Sequence, residues 1–207
     1  MSQPPPAAIY IIRHGEKPAD LPPADHGHQA PAPTAPFGVD YQGNQNEHSL
    51  LPRGWQRSGA LAALFAPALG VPQAGLQVPT ALLSPFYGDP ASTITHRTYQ
   101  TIQGLSARLN LQIATDFTEG HEAQLAASVV SSYSGVVLIC WEHGHIPALA
   151  SSLPTIAGTV IPQKWDGARF DVVWTFTLVP GSAPAQYAFA QVPQQLLSGD
   201  AGTVISP

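Results

Sequence analysis

The chain has 207 residues, of which 44% are hydrophobic and 10% are charged, and this composition excludes an intrinsically disordered protein. Its formal net charge is -5, and its eight Lys and Arg residues form no basic cluster, which argues against binding to nucleic acid or to an anionic membrane surface. A single cysteine, Cys140, excludes a disulfide framework, and no apolar stretch approaches the roughly 20 residues that span a bilayer. The sequence therefore predicts one globular domain over residues 1–207, in a protein that we expect to be cytoplasmic.

The first half of the chain predicts two strands and two helices, with a long loop after the first strand. "AAIYII" at 7–12 is a short apolar run with β-branched residues, which is typical of a buried strand. Residues 18–48 are rich in Pro, Gly, Asn and Asp and have no sustained periodicity, so we expect an insertion or lid there. Helical spacing marks "PRGWQRSGALAALFAPAL" at 52–69 and "STITHRTYQTIQGLSARLNL" at 92–111, and "TALLS" at 80–84 predicts a short buried strand between them.

The second half continues the alternation of strands and helices as far as residue 153. "LQIATDF" at 111–117 and the very apolar "VVLICW" at 136–141 predict strands. "EGHEAQLAASVVSSY" at 119–133 predicts a helix, and "EHGHIPALASSL" at 142–153 predicts a short one.

The last predicted elements differ in character from the rest. "FDVVWTFTLV" at 170–179 and "QYAFAQV" at 186–192 alternate as the two strands of an antiparallel hairpin do. Strands that alternate with helices favour a parallel sheet with helices on both faces. We therefore expect an α/β fold: a single three-layer domain with a mostly parallel central sheet and the C-terminal antiparallel hairpin at its edge.

Polar residues follow two of the predicted strands at the point where each strand ends. Arg13, His14 and Gly15 follow the first strand, and Glu142 and His143 follow the strand at 136–141. In open α/β sheets, ligands bind outside the carboxyl ends of the strands. One histidine or arginine at such a place is usually a hydrogen-bonded or solvated residue, but several together, in a chain with only eight basic residues, indicate a site.

These residues belong to a set of five motifs, which along the chain are "RHGEK", "LLPRGWQRSGALAALF", "THRTYQT", "FTEG" and "WEHGHIP". In content and order the set resembles the motifs of the histidine phosphatase superfamily, also called the phosphoglycerate-mutase-like family. The resemblance covers nearly the whole chain apart from residues 18–48. It implies a metal-independent phosphomonoester hydrolase that needs no cofactor and acts through a phosphohistidine on a small or singly phosphorylated substrate.

The resemblance also implies a role for each residue that matches a motif. His14 would be the nucleophile, and Arg13, Arg97 and Gly15 would bind the phosphate together with His143, which would also stabilise the transition state. Arginine suits such a role because its guanidinium is a fixed fork of donors that stays charged. A leaving alcohol needs a proton, and carboxylic acids commonly supply it.

The sequence offers three candidates for the proton donor. Glu119 of "FTEG" matches the family's acidic element, and Glu122 and Glu16 are rivals. Glu142 departs from the family pattern, because small residues are frequent immediately before the second histidine, and a carboxylate there could orient that histidine or repel substrate. His145 could line the pocket or cap the following helix.

Three alternatives to the hydrolase remain open at this point. A phosphoglycerate-mutase-type phosphotransferase is disfavoured, because related mutases carry an extended segment after the acidic element and "FTEGHEAQLAASVV" passes directly into a predicted helix. A non-catalytic phosphate-binding or interaction module could use the same fold, with Glu142 as the disabling change. A metal site at His14, His143 and His145 is disfavoured, since their spacing matches no common zinc pattern.

Overall fold

The computed structural model of the protein describes residues 3–18 and 36–207, and its strands and helices alternate along most of the chain. No helix within these two ranges is long and apolar enough to cross a membrane. The elements, in chain order, are β1 (Ala8–Arg13), α1 (Pro52–Phe65), β2 (Ala81–Leu83), α2 (Pro90–Thr95), α3 (Arg97–Leu109), β3 (Ile113–Ala114), α4 (Glu122–Ser132), β4 (Val136–Trp141), α5 (Ile146–Ser151), β5 (Val172–Leu178) and β6 (Tyr187–Pro193).

The six strands form one sheet in the order β3-β2-β4-β1-β5-β6. β3, β2, β4 and β1 are parallel to one another, whereas β5 runs antiparallel to β1 and β6 runs antiparallel to β5. The expected α/β fold with a mostly parallel sheet is therefore confirmed, as is the antiparallel pair at its edge. β1 and β4 lie side by side in the middle of the sheet, and Arg13 pairs with Trp141 at their carboxyl ends.

Helices cover both faces of the sheet, because the two central strands are apolar on both faces. Ile9 and Ile11 of β1 point into a core that contains side chains of α4 and α5, whereas Tyr10 and Ile12 point into a second core with α1 and α3. Side chains of successive strand residues alternate between faces, so a strand that is buried on both sides shows a continuous apolar run instead of an alternating one. This confirms the three layers expected from the sequence.

The helix predicted over 92–111 is wrong as a single element. α2 ends at Thr95, His96 is extended (φ -80°, ψ 145°), and α3 begins at Arg97. The His96 ring lies between two other rings, 3.7 Å from Tyr87 and 4.9 Å from His48 between ring centroids. His48 comes from a distant part of the chain and Tyr87 from the loop before α2. Their contacts accompany the break, which places Arg97 at the first residue of a helix.

Three other elements are shorter than predicted. The strand expected over 111–117 has two residues, Ile113 and Ala114, because it lies at the sheet edge beside the three-residue β2. The helix expected from Glu119 begins at Glu122, whose Oε1 accepts a hydrogen bond from the Gly120 backbone N–H at 2.9 Å. The helix expected over 142–153 spans only α5, so Glu142 and His143 lie in the loop before it.

The predicted insertion at 18–48 is described in part, since residues 19–35 lie outside the described ranges. Residues 36–51 form a loop closed by an antiparallel bridge between Val39 and Gln45. The indole N–H of Trp55, on α1, donates to the Val39 carbonyl at 2.8 Å. This portion of the insertion is therefore attached to the first helix.

Candidate active site

The structure brings His14 and His143 together at the carboxyl edge of the sheet. β1 and β4 are adjacent and parallel, so the residues that follow them leave the sheet side by side. The two ring centroids are 6.4 Å apart, with the ring planes at 88°. This is the placement expected from the sequence for two polar strand ends.

His14 is buried and held as a neutral ring. Its Nδ1 lies 2.7 Å from the Gly15 carbonyl oxygen, which can only accept, so Nδ1 carries the proton. Burial, together with the positive charge of Arg13, keeps the pKa of His14 well below its ordinary value. At neutral pH, Nε2 of His14 therefore carries an unprotonated lone pair, which is the form that a nucleophilic imidazole requires.

The guanidinium of Arg13 is fixed by the loop that precedes β5. Its Nη1 donates to the carbonyls of Gly167 (2.6 Å) and Arg169 (3.2 Å), and its central carbon lies 3.9 Å from the centre of the Phe170 ring. Burial lowers the pKa of Arg13 to about 10, so it remains a cation at neutral pH. Within the described residues its Nε is a buried donor with no acceptor, and such a group is costly unless a ligand supplies one.

Arg97 acts on the same region from the start of α3. Its Nη1 donates to the Glu47 carbonyl at 2.9 Å, and its backbone N–H donates to the His48 carbonyl at 3.1 Å. The charge of Arg97 contributes, after larger effects, to lowering the pKa values of both Arg13 and His14. Arg97 therefore lies close enough for its charge to act on the buried imidazole.

Gly15 has a packing role that sequence reasoning did not foresee. A Cβ at this position would lie 3.1 Å from both the Cα and the carbonyl oxygen of Gly54, so the two glycines let β1's loop and α1 approach closely. The backbone N–H of Gly15 donates to the Thr101 hydroxyl at 2.8 Å, and that hydroxyl donates to the Arg97 carbonyl at 2.6 Å. Gly15 thus links the histidine to the helix that begins at Arg97.

Glu142 places a carboxylate beside the two histidines. Its Oε2 accepts from the Gly144 backbone N–H at 2.6 Å, and its Oε1 contacts Nδ1 of His143. Burial and the Arg13 charge lower the pKa of His143, and Glu142 opposes them. His14, Glu142 and His143 each offer a potential metal-ligand atom within 4.8 Å of the other two, although Arg13 and Arg97 make this region unfavourable for a cation.

His145 lies outside that cluster. It precedes α5, but its side chain makes no capping hydrogen bond. Its Nδ1 lies 3.0 Å from Oε1 of Glu122. His145 is therefore the N-cap residue of α5 by position but does not cap the helix with its side chain, and it is not part of the cluster that could hold a metal.

The three carboxylates that the sequence offered as proton donors have different surroundings. Glu119 accepts a hydrogen bond from the Tyr87 hydroxyl at 2.7 Å. Burial would raise the pKa of Glu122, but hydrogen bonds from the Gly120 N–H and the Trp141 indole hold it below its ordinary value.

Glu16 is the carboxylate most firmly bound to other side chains. Its Oε1 accepts from Arg53 (3.1 Å) and from Nη2 of Arg57 (2.8 Å). Arg57 in turn donates to both carboxylate oxygens of Asp200, at 2.7 and 3.0 Å. This buried network ties the loop after β1 and helix α1 to the segment after β6, which gives Glu16 a structural role.

Sequence reasoning missed the loop at 167–170 as part of the site. Phe170 lies 6.1 Å from the His14 ring between centroids, in addition to its contact with Arg13. The predicted hairpin could have indicated this loop. Its first strand runs antiparallel to the rest of the sheet, so the start of that strand lies at the carboxyl ends of the parallel strands. Beside this loop is a cavity of about 590 Å³, lined by Lys164, Asp166, Gly167, Arg169, Val204, Ile205 and Ser206.

In comparisons of sequence, no protein-family model matches this chain, and no curated protein matches it. The class that the structure itself defines is an α/β protein with two histidines and an arginine at the carboxyl edge of a mostly parallel sheet.

Proposed function

We propose that this protein is a phosphomonoester hydrolase that forms a phosphohistidine at His14. The observation that carries the proposal is the buried, neutral His14 ring, whose Nδ1 proton is committed to the Gly15 carbonyl and whose Nε2 is left to attack. A binding module would gain nothing from a desolvated imidazole held in one tautomer. A nucleophilic histidine needs both the desolvation and the fixed tautomer.

The cations around His14 support phosphate as the group that is attacked. A phosphomonoester carries close to two negative charges at neutral pH. The Nε of Arg13, which has no acceptor within the described residues, offers a buried donor for a phosphoryl oxygen, and Arg97 supplies a second positive charge. Catalysis of phosphoryl transfer depends mainly on positioning and on charge stabilisation, which this arrangement would provide.

A hydrolase is favoured over a mutase by the short path from Glu119 to α4. The helix begins three positions later, at Glu122, so no extended segment follows the acidic element. A small, singly phosphorylated substrate is favoured, because the chain has only two lysines with which to bind a highly phosphorylated one.

The test is phosphate release from 4-nitrophenyl phosphate, without added metal, by the native protein and by His14→Ala. We expect the substitution to abolish release, because no other group would attack phosphorus. His121→Ala is the matched control, since His121 is exposed and lies at the start of α4, and it should retain full activity.

A second measurement identifies the intermediate directly. Rapid quenching with radiolabelled phosphoester should leave an acid-labile, base-stable phosphoryl group on the native protein and none on His14→Ala. If the native protein releases no phosphate from several phosphoesters between pH 5 and 8 and still binds phosphate, the binding module replaces the hydrolase.

A further inference from the structure

We propose that Glu142 and His143 form a proton-transfer pair, in which Nε2 of His143 protonates the leaving alcohol and Glu142 fixes the ring for that task. The proposal rests on the proposed function, because it needs His14 as the phosphoryl acceptor. It assigns the acid to a histidine instead of Glu119, and it gives Glu142 a positive role in place of the disabling one considered from sequence.

The first step of the argument is that Glu142 is itself fixed as an acceptor. Its Oε2 takes the Gly144 N–H at 2.6 Å, and its Oε1 faces Nδ1 of His143. That Nδ1 is buried and, within the described residues, has no hydrogen bond of regular geometry, so the Glu142 carboxylate in contact with it is the acceptor at hand. Because buried polar atoms need partners, we infer that the Nδ1 proton of His143 is directed to Glu142.

The second step follows from the chemistry of imidazole. A neutral ring carries one proton, and if that proton is on Nδ1, then Nε2 is an acceptor. Nε2 of His143 therefore donates only when the ring is positively charged, and it accepts a proton when the ring is neutral. A group that alternates between these two states is a general acid and base.

The third step concerns what Nε2 of His143 faces. A Cβ placed on Gly167 would lie 3.8 Å from this nitrogen, and Gly167 lines the cavity of about 590 Å³. The lining of that cavity does not include Arg13, His14 or His143. What brings His143 near a group attacked by His14 is the closeness of the two rings, whose centroids are 6.4 Å apart. Nε2 of His143 would thus lie near the oxygen that links phosphorus to the leaving group.

Charge favours protonation of His143 once substrate is bound. The charged and titratable groups that act on its ring are Arg13 and Lys17, which disfavour the cation, and Glu142, which favours it, while His14 lies beside it as a neutral ring. A phosphoester bound between these groups adds close to two negative charges. His143 would therefore be protonated when the phosphoester is bound and neutral when the site is empty.

The reaction then balances in two steps. In the first, Nε2 of His14 bonds to phosphorus, the bond to the leaving oxygen breaks, and Nε2 of His143 gives its proton to that oxygen. In the second, a water oxygen bonds to phosphorus, the N–P bond returns its electron pair to His14, and His143 takes a proton from the water. Phosphomonoester and water become alcohol and phosphate, and His143 ends with the proton with which it began.

Glu142→Gln is the sharpest test of this pair. Only a carboxylate can accept from both Gly144 and His143, because the amide of glutamine replaces one acceptor with a donor. The readout is kcat/KM for two substrates: 4-nitrophenyl phosphate, whose leaving group needs no proton, and glycerol 3-phosphate, whose leaving group does. We expect a loss of roughly 100-fold or more on the alkyl ester, as for other general acids, and a much smaller loss on the aryl ester.

The second step of the reaction gives a further expected result. With the aryl ester, Glu142→Gln should release one equivalent of nitrophenolate rapidly and then turn over slowly, because His143 no longer receives the proton from water efficiently. Glu119→Gln is the matched variant and should affect both esters alike. Equal losses on both esters with Glu142→Gln, or selective loss on the alkyl ester with Glu119→Gln, would overturn the proposal.

Nitrogen NMR of the histidine-labelled protein separates this inference from the proposed function. Above the titration of the ring, we expect His143 to carry its proton on Nδ1 in the native protein and to lose that preference in Glu142→Gln, with both proteins folded by circular dichroism. A proton on Nε2 in the native protein would overturn the pair even if phosphohistidine forms. Absence of phosphohistidine would overturn the proton-transfer role together with the proposed function. The tautomer of His143 would still show whether its Nδ1 proton is directed to Glu142.

Discussion

Asp200→Asn tests the buried network that anchors the segment after β6. Arg57 donates to both oxygens of Asp200, and the backbone N–H groups of Leu196 and Leu197 donate to Oδ2 at 2.8 and 3.0 Å. Burial alone would raise the pKa of Asp200, but Arg57 and these N–H groups lower it from 3.8 to about 2. The lower value means that folding stabilises the ionised form.

The size of the effect follows from that difference in pKa. The fall from 3.8 to about 2 corresponds to about 2 kcal/mol of folding free energy above pH 4, at roughly 1.4 kcal/mol per pH unit. The contribution is fully present above the unfolded pKa and is lost as pH falls through the folded pKa. Asparagine cannot ionise, so we expect it to lower the free energy of unfolding by about 2 kcal/mol at pH 7 and by progressively less towards pH 2.

Urea unfolding followed by tryptophan fluorescence, repeated from pH 7 down to pH 3, measures this difference. Asp89→Asn is the control, because Asp89 is an exposed helix N-cap and asparagine caps helices equally well. The control should stay within about 0.5 kcal/mol of the native protein. If Asp200→Asn costs as much at pH 3 as at pH 7, the depressed carboxyl pKa is not the source of the stability.

Two further predictions concern packing. Within α1, a Cβ at Gly54 would lie 2.6 Å from the Glu16 carbonyl oxygen, whereas a Cβ at Gly59 meets no atom within 4 Å. We therefore expect Gly54→Ala to destabilise the protein by about 1–3 kcal/mol and Gly59→Ala to stabilise it by up to about 1 kcal/mol, as measured by urea unfolding; equal effects would contradict the close approach. Burial of Cys140 raises the pKa of its thiol, so we expect no reaction with Ellman's reagent until the protein unfolds, and rapid labelling in native buffer would refute that burial.

The central sheet could be predicted from the sequence because its strands are apolar on both faces. β4 begins and ends where the run "VVLICW" does, and β1 closely follows "AAIYII". A strand that is buried on both faces can be predicted from its own residues, because they form a continuous apolar run. β3 is different, because its two residues owe their assignment to pairing with β2.

The break at His96 could not be predicted from local sequence. Neither glycine nor proline marks the position, and the helical spacing continues through it. Of the two rings that flank that of His96, the His48 ring belongs to a loop far away in the chain and the Tyr87 ring to the loop before α2. Contacts of this kind override helix propensity and leave no periodic trace.

The candidate site likewise has one part that the sequence predicts and one part that it does not. The proximity of His14 and His143 follows from two parallel strand ends, which the sequence shows. The contacts of Arg13 with the 167–170 loop depend on how β5 pairs with β1, a register that no local pattern specifies. The roles of His14, His143, Arg13, Arg97 and Glu119 in phosphoryl transfer stay predictions.

The position of β1 in the middle of the sheet has a consequence for synthesis on the ribosome. β1 pairs with residues 136–141 on one side and with 173–177 on the other, so both of its neighbours emerge long after it does. At roughly 5–20 residues per second, the strand waits on the order of ten seconds or more with its apolar faces uncovered. We therefore expect nascent chains that stop before β5 to bind chaperones through "AIYII", and none of them to assemble the pocket.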